Sequence, residues 1–156
     1  MRVTLCVVGR LRTGPERTLI DDYLTRFDRT GRALGLGPAN LIEVEDKLNK
    51  GMAAEAKLLR SAAPDGATLV CLDERGKPQT SPQFADRLGA WRDDGIRDCA
   101  FLIGGADGLD PSLRADANHL LSFGKMVWPH MLARVMLTEQ LYRAASILAG
   151  APYHRE

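Results

Sequence analysis

The last five residues, Pro152-Tyr153-His154-Arg155-Glu156, place a phenol, an imidazole, a guanidinium and a carboxylate at a chain end, a position that normally frays and tolerates change. Such a tail looks built for a site. A solvated end without a role is the alternative. Arg143 stands on a largely apolar helical stretch, which suits a buried hydrogen bond or a substrate contact. His130 opens that same stretch and reads as structural. The spacing of His119, His130 and His154 shows no HExxH or other paired-ligand pattern, so no metal site is expected. No GxSxG elbow, GxGxxG fingerprint or GxxxxGK[ST] loop is present either, which disfavours a Ser-His-Asp hydrolase, a Rossmann dinucleotide enzyme and a P-loop protein.

Residues of this kind need a scaffold, and strand-like and helix-like segments alternate along the whole chain. Strands are expected at Arg2 to Val8, Leu41 to Glu45, Ala67 to Leu72, Asp98 to Ile103 and His119 to Ser122. A helix opened by Pro15 runs to about Thr30, and a second runs from Met52 to Ser61. Ser81 is the expected N-cap of a third, with Pro82 in its first turn, Phe84, Leu88 and Trp91 on one face and Gly95 at its end. The alternation predicts a largely parallel sheet with helices on both sides. The last helix, His130 to Leu148, is apolar round most of its circumference and must be covered on several sides. A homodimer interface is the favoured explanation and an internal position the other.

In such a sheet, ligands collect beyond the carboxyl ends of the strands. Three exits stand out. They are Leu72-Asp73-Glu74-Arg75-Gly76-Lys77-Pro78, Leu102-Ile103-Gly104-Gly105-Ala106-Asp107-Gly108-Leu109, and Ser122 to His130, which runs straight into the last helix. Paired glycines let backbone approach a ligand closely.

Composition sets the class. The chain has 156 residues, 45% hydrophobic and 26% charged, as expected of one globular domain that buries roughly 70% of its unfolded surface. No apolar run approaches a membrane span. The apolar start before Gly9 is too short for a signal-peptide core, so a cytoplasmic protein is expected. Cys6, Cys71 and Cys99 are odd in number and sit inside strand-like runs, which points to buried free thiols. Net charge is +1, but residues 1–32 carry seven arginines against four acids. That excess makes either a patch for phosphates or a solvated helix face.

Taken together, LDERGK, LIGGADGL, SFGKMVWPHMLARVMLTEQLYRA and PYHRE, in this order and spacing, closely resemble the RlmH family of SPOUT-superfamily RNA methyltransferases over nearly the full length. The resemblance implies an α/β fold of the SPOUT-type α/β knot: a mostly parallel sheet flanked by helices, in a single domain spanning 1–156, with a C-terminal trefoil knot. It implies methylation of N3 of a pseudouridine in a hairpin loop of 23S ribosomal RNA, with S-adenosyl-L-methionine as methyl donor, by a homodimer. The substrate RNA would be in the assembled ribosome. Leu72 would line the adenine or ribose pocket, and Gly105 would bring backbone against the methionyl or ribose portion. Gly124, Lys125, Met126, Val127, Trp128 and Pro129 would wrap the adenine, while Tyr153, His154, Arg155 and Arg143 would serve the acceptor base: Tyr153 would stack on or hydrogen-bond it, His154 would take or relay its proton, and Arg155 would hold the anion or a neighbouring phosphate.

Departures from the family pattern are Ala106 in place of a proline, Val127-Trp128 ahead of Pro129-His130, and Ala145 where a large aromatic is common. The first two leave backbone recognition intact, and the third touches dimer packing or RNA stacking. A non-catalytic RNA- or ribosome-binding module of the same fold is the competing expectation, and a small-metabolite enzyme is a third.

Overall fold

The computed structural model describes residues 1–155; the Glu156 carboxylate, counted above as part of the tail, lies outside them. Five strands, β1 (Arg2–Val8), β2 (Ala39–Val44), β3 (Thr68–Pro78), β4 (Asp98–Ile103) and β5 (His119–Ser122), form one sheet in the order β2-β1-β4-β3-β5. Every neighbouring pair is parallel. All strand exits therefore fall on one edge, and the chemistry-bearing loops meet there.

Side-chain alternation assigns the two faces. Val3, Leu5 and Val7 of β1 and Cys99, Phe101 and Ile103 of β4 point to one core, while Cys6, Val8, Ala100 and Leu102 point to the other. The first core is covered by α1 (Pro15–Gly31), α3 (Ser81–Asp93) and α5 (His130–Leu148), which contribute Phe27, Phe84, Leu88, Leu137 and Leu141. The second is covered by α2 (Met52–Ala62) and α4 (Pro111–Asp116) through Ala56, Leu59 and Leu113. Each fully buried Leu or Phe contributes about 1.5–3 kcal/mol, so the two faces together hold the strand exits rigidly. The three thiols are free and buried, and burial pushes each up to about 12, which leaves them inert packing groups.

Two expectations are corrected. The N-cap of α3 is Thr80, not Ser81: the Thr80 hydroxyl accepts from Gln83 N–H at 3.3 Å, and the Gln83 side chain accepts from Thr80 N–H at 2.9 Å. The third strand does not finish at Leu72. Leu72 and Lys77 both register with Leu121, so Asp73 to Gly76 leave the ladder and the chain rejoins it. Gly76 then passes so near β5 that a Cβ there would meet the Leu120 carbonyl oxygen at 2.7 Å. Much of the apolar circumference of α5 is covered within the chain, because α5 packs along α1 and α3 above the sheet. Leu132 remains exposed, and Val135 and Met136 are half-buried. The helix α4 appeared in no periodicity, being too short to show one.

Candidate active site

At the carboxyl edge of the sheet lies a cleft of about 390 Å³, lined by Leu72 to Arg75, by Ile103 to Leu109, and by Phe123, Gly124, Met126, Val127 and Trp128. His130 and Ala133 from the first turns of α5 close one end, and Met52 and Arg114 flank it. All three strand exits thus meet in one hollow of the size that holds a small molecule. Lys125 and Pro129 do not line it; both are exposed, and Pro129 is the residue that opens α5.

The glycine pair sets the floor. A Cβ on Gly104 would run into the Gly108 carbonyl, and one on Gly105 would meet Glu55 Oε1 at 3.1 Å and Val8 Cγ1 at 3.3 Å. Backbone therefore faces the cleft where a side chain cannot fit. Burial raises the Glu55 carboxyl, and hydrogen bonding from the Gly105 backbone partly opposes this.

The polar groups around the cleft are largely engaged with one another. Asp73 Oδ2 accepts from Arg114 Nη1 at 3.1 Å, and its Oδ1 accepts from Arg75 N–H at 2.9 Å. Burial alone would raise this carboxyl, but the Arg75 amide and the Arg114 guanidinium outweigh it and hold it below the ordinary carboxylate range. Ser122 ties two exits together. Its Oγ accepts the Gly124 N–H at 3.0 Å and lies within donor reach of the carbonyls of Gly124 (3.0 Å) and Glu74 (3.3 Å). Gly124 turns there at φ 107°, a conformation open to glycine. Beyond it Met126 and Val127 are 71% and 79% exposed, an apolar wall standing in solvent.

Beneath the cleft Arg134 is fully buried, and its Nη2 donates to the Val8 carbonyl at the end of β1. Among the described residues its Nε and Nη1 have no partner. Burial lowers its pKa, and it also pushes down that of His130, helped by the Arg134 charge.

The tail lies elsewhere. Tyr153 packs on Tyr142 with ring centroids 4.5 Å apart, its hydroxyl donates to Glu139 Oε1 at 3.0 Å, and the Arg143 guanidinium sits 4.8 Å from its ring centroid. His154 Nδ1 is 3.2 Å from Arg143 Nη1. Arg155 is exposed. The structure therefore groups Tyr153, His154 and Arg143, but none of them lines the cleft of the same chain. His130 and Arg143 are thirteen residues apart on α5, about 20 Å along the axis.

Residues 1–154 match the family described as predicted SPOUT methyltransferase. A protein from Ruegeria pomeroyi named "Ribosomal RNA large subunit methyltransferase H" is 72% identical over 155 residues, 99% of each chain. One of the same name from Dinoroseobacter shibae is 73% identical over the same span. The chain belongs to this family of SPOUT methyltransferases. A solved structure of a probable methylase family protein from Haemophilus influenzae Rd KW20 aligns with a TM-score of 0.52 at 13% identity, over 99% of this chain and 70% of that one. That likeness is one of fold.

Within a methyltransferase of this family, several groups of the site escaped the sequence reading. Ser122 marks the expected end of a strand, and Arg134 and Glu139 are polar positions on an otherwise apolar helix; nothing in their local sequence points to a site. Glu139 carried one usable signal, its i,i+4 spacing to Arg143, which places opposite charges side by side on a helix. The basic excess of residues 1–32 is largely matched inside the molecule: Arg2 pairs with Asp98, Arg10 with Glu45, Arg17 with Asp21 and Glu43, and Arg26 with Asp22. Among the described residues no group of three or more His, Cys, Asp or Glu is placed to hold a metal, and no helix is long and apolar enough to cross a membrane.

Proposed function

We propose that the chain is a cytoplasmic S-adenosyl-L-methionine-dependent methyltransferase that acts as a homodimer on N3 of a pseudouridine in 23S ribosomal RNA, in the assembled ribosome. The observation that carries the reading is the glycine-floored cleft where all three strand exits of a SPOUT-family sheet converge. Its features suit the cofactor. Leu72 and the wall from Gly124 to Trp128 offer apolar and backbone surfaces for adenine, and the exposed backbone at Gly105 leaves room for the ribose or methionyl part. When bound, S-adenosylmethionine supplies a sulfonium methyl group whose carbon–sulfur bond breaks with both electrons returning to sulfur.

The protein's own work is to hold the two reactants in line, an effect worth up to roughly 7–11 kcal/mol. It must also deal with the proton on the acceptor nitrogen, whose departure leaves negative charge on the base. The tail supplies Tyr153, His154 and Arg155 for that task. Burial, then hydrogen bonding to Glu139, raises the Tyr153 phenol well above its ordinary value; with its one O–H given to Glu139, neutral Tyr153 is left as a stacking surface.

The axial separation of tail and cleft along α5 supports a site completed by a second copy. A second hollow, lined by Leu19, Tyr23, Val135, Met136 and Glu139, shares Phe123 and Gly124 with the cleft. It adjoins exposed Leu19, an apolar seat beside both the cofactor cleft and the tail network. The reading also includes one domain over the whole chain and a C-terminal trefoil knot.

Two measurements test it together: calorimetric titration with S-adenosylmethionine, and methylation of ribosomes by the full chain and by the chain lacking Tyr153 to Glu156. Both proteins are expected to bind the cofactor, and the shortened one to lose methylation at least about 100-fold. A chain that binds no cofactor is an inert RNA-binding module. Equal turnover of the two proteins would remove the tail from the site.

A further inference from the structure

The tail is held by a network that specifies more than its position. Glu139 Oε1 accepts from Arg143 Nε at 3.0 Å, from Arg143 Nη2 at 2.6 Å and from Tyr153 Oη at 3.0 Å. Its Oε2 accepts from Gln140 Nε2 at 2.8 Å, and Gln140 Oε1 accepts from Ser81 Oγ at 2.8 Å, which anchors the carboxylate to α3. With Nε and Nη2 committed to Glu139, Arg143 turns Nη1 toward His154 Nδ1 at 3.2 Å. A guanidinium has donors only, so in this contact Nδ1 must be the acceptor. A neutral imidazole whose Nδ1 accepts carries its proton on Nε2.

We infer that Glu139 is a positioning residue which, through Arg143, holds His154 in the Nε2–H tautomer, so that the tail offers the acceptor base a hydrogen-bond donor and not a general base. This rests on the proposed function, in which the tail faces that base, and it reverses the expectation that His154 takes the proton. In the corresponding step the nitrogen's proton leaves to a solvent water molecule. The negative charge left on the ring spreads onto the carbonyl oxygens that flank the nitrogen. His154 Nε2–H and the Arg155 guanidinium are the donors available to hold it there. Such a site needs no base of its own, because stabilising the anion lowers the cost of losing the proton.

Long-range ¹H–¹⁵N NMR spectra of the uniformly labelled full-length protein read the tautomer without any activity. The signals that vanish in His154→Gln belong to His154. Nδ1 is expected to be the unprotonated nitrogen in the wild type, and Glu139→Gln is expected to mix the two tautomers. An unprotonated Nε2 in the wild type overturns the inference. Kinetics give the second arm, since the glutamine amide N–H₂ stands where Nε2–H stood. His154→Gln is expected to restore about 10-fold over His154→Ala in kcat, with the cofactor Kd unchanged in both. Equal loss in the two variants contradicts a donor role. Should the chain lacking the whole tail methylate normally, the functional reading fails while the tautomer measurement still stands, so the two failures are distinguishable.

Discussion

Around both the cleft and the tail, charged side chains are set against one another, and their pairings decide which remain free for chemistry. Asp73 is held ionised by the Arg75 amide and Arg114, so its carboxyl is depressed in the folded chain. A depressed carboxyl contributes stability that is fully present above its unfolded value near 3.8 and is lost as pH falls through the folded one. Asp73→Asn is therefore expected to be less stable than wild type near neutrality, with the gap closing below about pH 4 in urea unfolding. Arg134 poses the opposite case, a fully buried cation with one backbone partner. Truncation to Ala leaves the Val8 carbonyl without its partner and opens a cavity, so Arg134→Ala is expected to cost about 3 kcal/mol, and Arg134→Met, which refills the volume, clearly less. Chemical denaturation measures both, and an Arg134→Ala protein as stable as wild type contradicts the anchoring role.

Elements explain why these residues arrive where they do, and where the sequence was readable. Short apolar runs gave all five strands, with β1, β4 and β5 correct at both ends and β2 displaced toward the amino end. The bounds of α5 followed from Pro129 and the apolar run to Leu148. Two neighbouring hydroxyls, Thr80 and Ser81, are equally good caps on paper, and proline is accepted at either of the first two helical positions, so local chemistry left a one-residue ambiguity that Gln83 resolves. Thr80→Ala is expected to cost about 1 kcal/mol by thermal or urea unfolding. The return of Lys77 and Pro78 to the ladder was hidden, because a polar, glycine-bearing stretch reads as a turn and only tertiary pairing with β5 overrides it. The three exits were legible because parallel topology brings strand ends to one edge, whereas the placement of the tail against Glu139 depends on a turn at Ala149 and Gly150 that carries no long-range signal. In the proposed site Gly105 is where an element meets the ligand directly. Gly105→Val would press on Glu55 and Val8 and push the backbone of the cleft floor out of place, and it is expected to weaken S-adenosylmethionine binding at least about 10-fold in calorimetry. Unchanged affinity would move the cofactor off the β4 exit.

At the scale of the whole molecule, one chain keeps the parts of the proposed site apart, with the cleft at the start of α5 and Arg143, which holds Tyr153 and His154, about 20 Å along it. The proposed dimer pairs two copies across the hollow lined by Leu19, Val135 and Met136, so that one chain's tail serves the other's cleft. Complementation between two separately inactive chains tests that arrangement most directly. One chain carries Gly105→Val and is assayed at a cofactor concentration too low for it to bind, and the other lacks Tyr153 to Glu156, the groups proposed to serve the acceptor base. Mixed and co-refolded in equal amounts, they form heterodimers in which one of the two composite sites is intact. Methylation of ribosomes is expected to recover to about a quarter of the wild-type rate, since about half the dimers are mixed and each has one working site. A mixture that stays as inactive as its components, while size-exclusion and mass analysis show heterodimers present, would contradict a site shared between subunits.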